Sequence, residues 1–224
     1  MQNPDKKRYD EGVAKLLPSP ISEIKVQKKN TYRFSLFVEN QFLVGVSDST
    51  LTRFGLKKGT LLTTSLLHEV LQKEDVWAIK EYCIRLLGRR DHARNELRDK
   101  ARKKGFPSHS IEEVLDELTK KKYINNAFFA SKFAHDKFEF NKWGPNKIRA
   151  ELFRRGISER NIDVALKEIS TDKRSLAIKE LIKKNKRKFE RVDTSKRKKK
   201  IFDFLLRKGF QPSEILSQIE NIRK

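Results

Sequence analysis

Arginines and lysines are the residues of this sequence best suited to chemistry, and they recur in three groups along the chain. Their side chains pair with phosphates and carboxylates, so a surface that gathers them can bind a polyanion. The first group is Arg89, Arg90, Arg94 and Arg98; the second is Lys142, Lys147, Arg149, Arg154 and Arg155; the third is Lys196, Arg197, Lys198, Lys199, Lys200, Arg207 and Lys208. We take these as the candidate binding residues. For any one of them the alternative is an ordinary solvated face.

The overall charge agrees with such a surface. The chain carries 52 Lys and Arg against 30 Asp and Glu, a formal net charge of +22. This excess indicates a nucleic acid, an acidic protein surface or an anionic membrane as partner, and says little about the fold. The hydrophobic fraction of 37% favours small modules with thin cores over one large globule.

Signatures of catalysis are missing. The four histidines (His68, His92, His109 and His135) stand apart and lack metal-ligand spacing. The stretch Leu56–Thr60 lacks the first glycine of a phosphate-binding loop. We therefore expect no catalytic residue, no metal and no cofactor.

Cysteine usage and hydropathy suggest where the protein works. The single cysteine, Cys83, excludes an internal disulfide and suits a reducing compartment. Neither a signal peptide nor an apolar run long enough to cross a membrane is evident. We expect a soluble, cytoplasmic monomer.

A repeat organises the elements that must position these bases. Gly105, Gly156 and Gly209 lie about fifty residues apart, and each follows two basic residues. Apolar residues recur at fixed offsets from the glycine: eight before it (Leu97, Ile148, Ile201), four before it (Ala101, Leu152, Leu205) and six after it (Ile111, Ile162, Ile215). With an upstream helix in each case, the pattern predicts three units of three helices, and each glycine is expected to be a left-handed cap.

The second unit contains the clearest segment, residues 143–157. Pro145 suits the first position of a helix, and Gly156 its end. Ile148, Leu152 and Phe153 are predicted to form its apolar face, opposite the bases. Trp143 is predicted to fill a seam between helices, with stacking on a nucleic-acid base as the alternative.

Before the repeats, apolar and polar residues alternate along the chain. They predict a three-stranded antiparallel meander with turns near Lys28–Asn30 and Glu39–Gln41, covered by Leu61, Leu62, Leu66, Leu67 and Val70. The predicted segments are a flexible lead-in (1–20), a β-rich extension (21–73) and repeats over 74–122, 123–170 and 171–224. The third repeat contains a basic insertion, 183–200, expected to be a long helix end or a mobile loop.

The predicted fold class is therefore mainly α. Three tandem three-helix repeats would form an elongated curved array, preceded by a small antiparallel β meander. Such an array offers a long concave surface on which equivalent helices could align their bases into one stripe. A stripe neutralising about six phosphates would give a slope of log affinity against log salt of roughly −5.

Three stretches of these units match a known family in order and spacing: Leu86-Leu87-Gly88-Arg89-Arg90 with Glu96-Leu97, Lys122-Tyr123-Ile124-Asn125-Asn126 with Phe129-Ala130, and residues 143–152 running into Arg155-Gly156-Ile157. Through them the chain resembles the RecX family, the regulators of bacterial RecA recombinase. It is close over about 75–170 and weaker in the third repeat. Ala93 and Asn126 stand where the family often has Ser and Asp, at helix starts where a cap is needed.

The resemblance implies a protein that binds along the groove of the RecA–DNA filament. It would inhibit RecA ATPase, strand exchange and co-protease activity, in recombination, DNA repair and the SOS response, without catalytic residues of its own. RecA would be the main partner, and single- or double-stranded DNA a secondary one.

Two alternatives remain open. The repeats could be a DNA-binding module that acts independently of RecA, with one helix of each unit in a major groove as in helix-turn-helix proteins. They could also form a basic scaffold for another acidic partner.

Overall fold

The chain is predominantly helical, with one antiparallel sheet near its N-terminus, in a computed structural model that describes residues 9–220. Within this range the strands are β1 (Ser19–Gln27), β2 (Asn30–Val38), β3 (Gln41–Ser47) and β4 (Leu61–Leu62). The helices there are α1 (Glu11–Ala14), α2 (Asp48–Arg53), α3 (Thr64–Leu87), α4 (Arg94–Lys103), α5 (Ser108–Lys120), α6 (Asn126–Glu139), α7 (Pro145–Arg154), α8 (Glu159–Lys167), α9 (Thr171–Lys184), α10 (Lys186–Glu190), α11 (Thr194–Lys208) and α12 (Pro212–Glu220).

The chain divides into two compact units. One comprises Met1–Arg90 with Leu97–Lys121, and the other Asp91–Glu96 with Lys122–Lys224. The sheet thus shares a unit with most of the first repeat, and the second and third repeats share the other. The predicted boundary at residue 74 falls inside α3, a helix of 24 residues.

The sheet has one more strand than the predicted meander. Its order is β3-β2-β1-β4, with antiparallel pairing throughout. Leu61 and Leu62 were expected to be part of the cover, but they pair with Pro20 and Ser19. Leu67 and Val70 of α3 do cover the sheet, and both are buried.

The lead-in predicted over residues 1–20 needs correction from residue 9 onward; residues 1–8 lie outside the described range. Asp10 caps α1, because its side chain accepts hydrogen bonds from the backbone N–H groups of Gly12 and Val13. Val13 is buried in the core of the sheet unit. Burial of this one apolar side chain ties the segment to the sheet.

The three repeats bury equivalent positions. Leu97, Ile148 and Ile201 are enclosed, as are Ala101, Leu152 and Leu205, and then Ile111, Ile162 and Ile215. The backbone φ angles of Gly105, Gly156 and Gly209 are 84°, 71° and 93°, so all three are left-handed caps as predicted. The fixed offsets therefore do specify a shared three-helix packing.

Two local predictions are wrong. Phe153 is 65% exposed, because the apolar stripe of α7 narrows to Ile148 and Leu152. The basic insertion 183–200 is neither a single long helix end nor a loop. α9 ends at Lys184, α10 follows, and α11 begins at Thr194. Phe189 of α10 is 2% exposed and packs against Phe204, which holds the segment to the helical core.

Candidate polyanion-binding surface

The second and third basic groups meet where the start of α7 touches the end of α11. The backbone N–H of Gly144 donates to the carbonyl of Lys208 at 2.7 Å, and that of Asn146 to the carbonyl of Gly209 at 3.0 Å. A Cβ on Gly144 would collide with the backbone of Gly209, and a Cβ on Gly209 with Lys147. Two glycines thus permit an approach that brings Lys147 beside Lys208.

Two more lysines complete what we call the lysine cluster: Lys142, Lys147, Lys184 and Lys208. Lys184 ends α9, and Lys142 follows α6 with a φ of 50°. The Lys208 ammonium donates to the carbonyl of Asn141 at 3.1 Å. The Lys142 ammonium lies 3.2 Å from the carboxylate of Glu180.

Lys208 shows the electrostatic character of the cluster. Burial lowers the pKa of its ammonium, and repulsion from Lys147 and Lys184 lowers this pKa further. Within residues 9–220, no carboxylate pairs with Lys147, Lys184 or Lys208. The surface therefore carries positive charge that is not paired with a carboxylate of the described residues.

Trp143 lies under this cluster and fills a seam, as predicted. Its ring packs against the helical core. The ammonium groups of Lys147 and Lys137 lie 4.4 and 5.3 Å from the ring centroid. These cation–π contacts fix the direction of Lys147.

The outward arginines of α7 form ion pairs at the surface of their unit. Arg149 contacts Glu159 and Asp163, each at 2.5 Å. The hydrogen bond to Asp163 is the main cause that raises the pKa of Arg149. Arg154 pairs with Glu151 at 2.7 Å. Their charge is therefore shared with carboxylates on α7 and α8.

Arg155 belongs to the interior of its unit more than to the surface. Its guanidinium contacts Glu96 and lies 2.7 Å from Glu151. It also covers the ring of Phe133 at 5.1 Å from the centroid. The side chain is only 25% exposed, so its contacts are mostly structural.

The first group has mixed surroundings. Arg89 and Arg90 follow α3 and are exposed. Arg98 forms a two-pronged contact with Glu112, at 2.5 and 2.9 Å. Arg94 begins α4, and its backbone N–H donates to the side-chain oxygen of Asn126 at 3.0 Å. Asn126 thus satisfies a helix-start donor that Ala93, lacking a polar side chain, cannot.

The lysine-rich start of α11 spreads around the helix. Lys196, Lys199, Lys200 and Arg207 line one depression of about 410 Å³, together with Asp203. Arg197 instead borders an apolar cavity with Ile182 and Phe189. Lys198 lies on a further side, near Phe202 and Leu216. The five consecutive bases therefore do not all line one depression.

Three residues of this surface were not among the predicted site residues. Lys137 and Lys184 sit in helices outside the repeated basic motif, so nothing in the repeat marked them. Phe140 lies outside that motif as well, and it is 78% exposed. A signal existed for Phe140, since it follows the last turn of α6 just before the chain reverses at Lys142.

Metal sites and membrane spans are both absent from the part of the chain that the structure describes. Residues 9–220 contain no group of His, Cys, Asp and Glu that could hold a metal ion. Across the same range, every helix is too short or too polar to span a bilayer.

Comparisons with known proteins match the chain in four consecutive segments. The family model of the regulatory protein RecX N-terminal domain matches residues 19–63. The models of the first, second and third RecX three-helix domains match residues 80–118, 125–166 and 176–217.

Curated relatives and solved structures agree. Proteins named regulatory protein RecX are 28% identical in Bacillus cytotoxicus (91% of this chain, 77% of the relative) and 30% identical in Bacillus velezensis (88% and 74%). A crystal structure of a regulatory protein RecX superposes with a TM-score of 0.76 at 23% identity, over 91% of this chain and 99% of the other. A crystal structure of RecX from Lactobacillus salivarius superposes with a TM-score of 0.61 at 21% identity, over 67% of this chain and 97% of the other. The structural likeness supports the fold.

Proposed function

Because the chain belongs to the RecX family, we propose that it regulates RecA in the cytoplasm by binding the RecA–DNA filament. Bound along the groove, it restrains RecA ATPase, strand exchange and co-protease activity. It acts by occupancy and contributes no catalytic residue, which accords with relatives named regulatory proteins.

The observation that carries this proposal is the lysine cluster. Three of its four ammonium groups lack a carboxylate partner within residues 9–220. A filament of protein and DNA presents phosphates and acidic side chains along its length, so it can supply the missing negative charge. The net charge of +22 draws the protein toward such a partner from a distance.

The ion pairs of α7 disfavour the alternative of an independent helix-turn-helix reader. A recognition helix needs free donors on its outer face to reach base edges. Here Arg149 and Arg154 already bind Glu159, Asp163 and Glu151. Moving them onto DNA would first require breaking these pairs.

The decisive experiment compares two affinities of the whole protein. Binding to naked single-stranded DNA and to the same strand coated with RecA is measured by fluorescence anisotropy at about 150 mM salt. We expect much tighter binding to the coated strand, together with inhibition of its ATPase. Equal affinities, or tight and sequence-selective binding to naked duplex, would refute the filament proposal.

A paired variant tests the contribution of the depression on α11 that Lys196 and Lys199 line. The double change Lys196→Glu and Lys199→Glu should weaken filament binding. Glutamate near the start of α11 suits the helix dipole at residue 196, so the fold should persist. The control is Lys57→Glu with Lys58→Glu, in an exposed loop of the sheet unit, which alters net charge equally. If both double variants lose the same affinity, net charge alone is responsible.

A further inference from the structure

A depression of about 390 Å³ lies beside the lysine cluster. It is formed by the end of α6, by α9 and by the end of α11. Its lining includes Phe140, Lys142, Glu180, Leu181, Lys184 and Lys208. All these residues lie in one compact unit, so the depression is a feature of that unit alone.

The lysines on one side of this depression favour the binding of an anion. Lys208 is partly buried and stands near Lys147 and Lys184, an arrangement that disfavours its charged state. Glu180 supplies one carboxylate on the rim, and it pairs with Lys142. A phosphate between Lys184 and Lys208 would offset their repulsion through charge-assisted hydrogen bonds.

The other side presents an unusual open ring. Phe140 is 78% exposed, whereas Phe129 and Phe138 of α6 are buried. The reversal of the chain at Lys142, whose φ is positive, sends Trp143 toward the core and leaves Phe140 outside. An exposed aromatic ring next to ammonium groups provides a stacking surface beside phosphate ligands, the combination that holds an unpaired nucleotide.

We propose that this depression binds one nucleotide of a single-stranded nucleic acid, with a phosphate at Lys184 and Lys208 and the base stacked on Phe140. Bases inside a duplex are already stacked on their neighbours, so the ring selects a single strand. This proposal deepens the filament proposal and rests on it only for the biological source of the strand. An acidic peptide could satisfy the lysines but would not require the ring.

The test uses the full chain with three ligands: a short oligothymidylate, an abasic oligomer with the same number of phosphates, and a duplex. Fluorescence anisotropy gives each affinity. We expect Phe140→Ala to weaken oligothymidylate binding about tenfold and to leave abasic binding unchanged. Phe140→Trp should retain binding. Lys184→Gln with Lys208→Gln should weaken both single strands, because the phosphate contacts are shared.

Matched controls separate the site from general effects. Phe153→Ala removes another exposed ring, and Lys167→Gln removes another exposed ammonium, each outside the depression. Both should bind like the wild type. Glu180→Gln should increase affinity for both single strands, since it removes the carboxylate that lines the depression. Circular dichroism checks that each variant keeps its helices.

The outcomes distinguish this proposal from the preceding one. If Phe140→Ala weakens oligothymidylate and abasic binding equally, or if none of the pocket variants differs from its control, the nucleotide site is refuted. Inhibition of RecA ATPase by those same variants would then still support filament regulation. If Phe140→Ala loses oligothymidylate binding selectively, and the wild-type protein does not inhibit RecA ATPase, the nucleotide site is supported and the filament proposal is refuted.

Discussion

Two neighbouring residues of α7, Leu152 and Phe153, should respond very differently to truncation. The sequence places both on the apolar face, but Leu152 is fully buried and Phe153 is 65% exposed. Leu152 is part of the core that joins the second and third repeats. We therefore expect Leu152→Ala to destabilise this unit, and Phe153→Ala to leave it nearly unchanged.

The structure sets the magnitude. Truncating an enclosed leucine removes its burial and leaves a cavity, which costs about 2–5 kcal/mol of unfolding free energy. Phe153 already faces water over most of its surface, so its truncation should cost less than about 1 kcal/mol. With a urea dependence of about 2 kcal/mol per molar, a loss of about 3 kcal/mol lowers the midpoint by about 1.5 M.

The assay follows the tryptophan that reports on this unit. The chain has two tryptophans, Trp77 and Trp143, and Trp143 packs against the same core as Leu152. A Trp77→Phe background lets fluorescence during urea titration report on Trp143 alone. An unchanged midpoint for Leu152→Ala, or equal shifts for both variants, would refute the assignment of the buried face.

Two further predictions concern a backbone approach and a buried thiol. Gly209→Ala should cost more unfolding free energy than Gly59→Ala by at least about 1 kcal/mol, measured by urea titration. Both glycines have positive φ, but an added Cβ meets Lys147 at Gly209 and nothing within 4 Å at Gly59; equal losses would contradict the close approach. Burial raises the pKa of the Cys83 thiol to about 11 from 9.0. The thiol's contribution to stability is thus complete below pH 9.0 and decreases as the pH rises toward 11, by about 1–3 kcal/mol in total. Cys83→Ala should lack this component when urea midpoints at pH 8 and pH 10 are compared.

Much of the candidate site could be predicted from residue type alone, but its state of charge could not. The basic groups are visible in the sequence. Whether an arginine is available depends on which carboxylates reach it, and these come from elsewhere in the chain. Arg98 forms an ion pair with Glu112, Arg149 with Asp163, and Arg155 with Glu96. No local pattern encodes such pairings, because they follow from how the helices of each unit pack.

By itself the sequence determined the helical repeat. The glycine after two bases specifies a left-handed helix cap, and the apolar residues at fixed offsets specify the buried face. All three copies have this cap and this buried face. Tertiary structure alone decided the fourth strand, the outward ring of Phe140 and the meeting of Lys147, Lys184 and Lys208. Those outcomes depend on contacts between residues distant along the chain, such as Gly144 with Gly209, where missing side chains allow two backbones to touch.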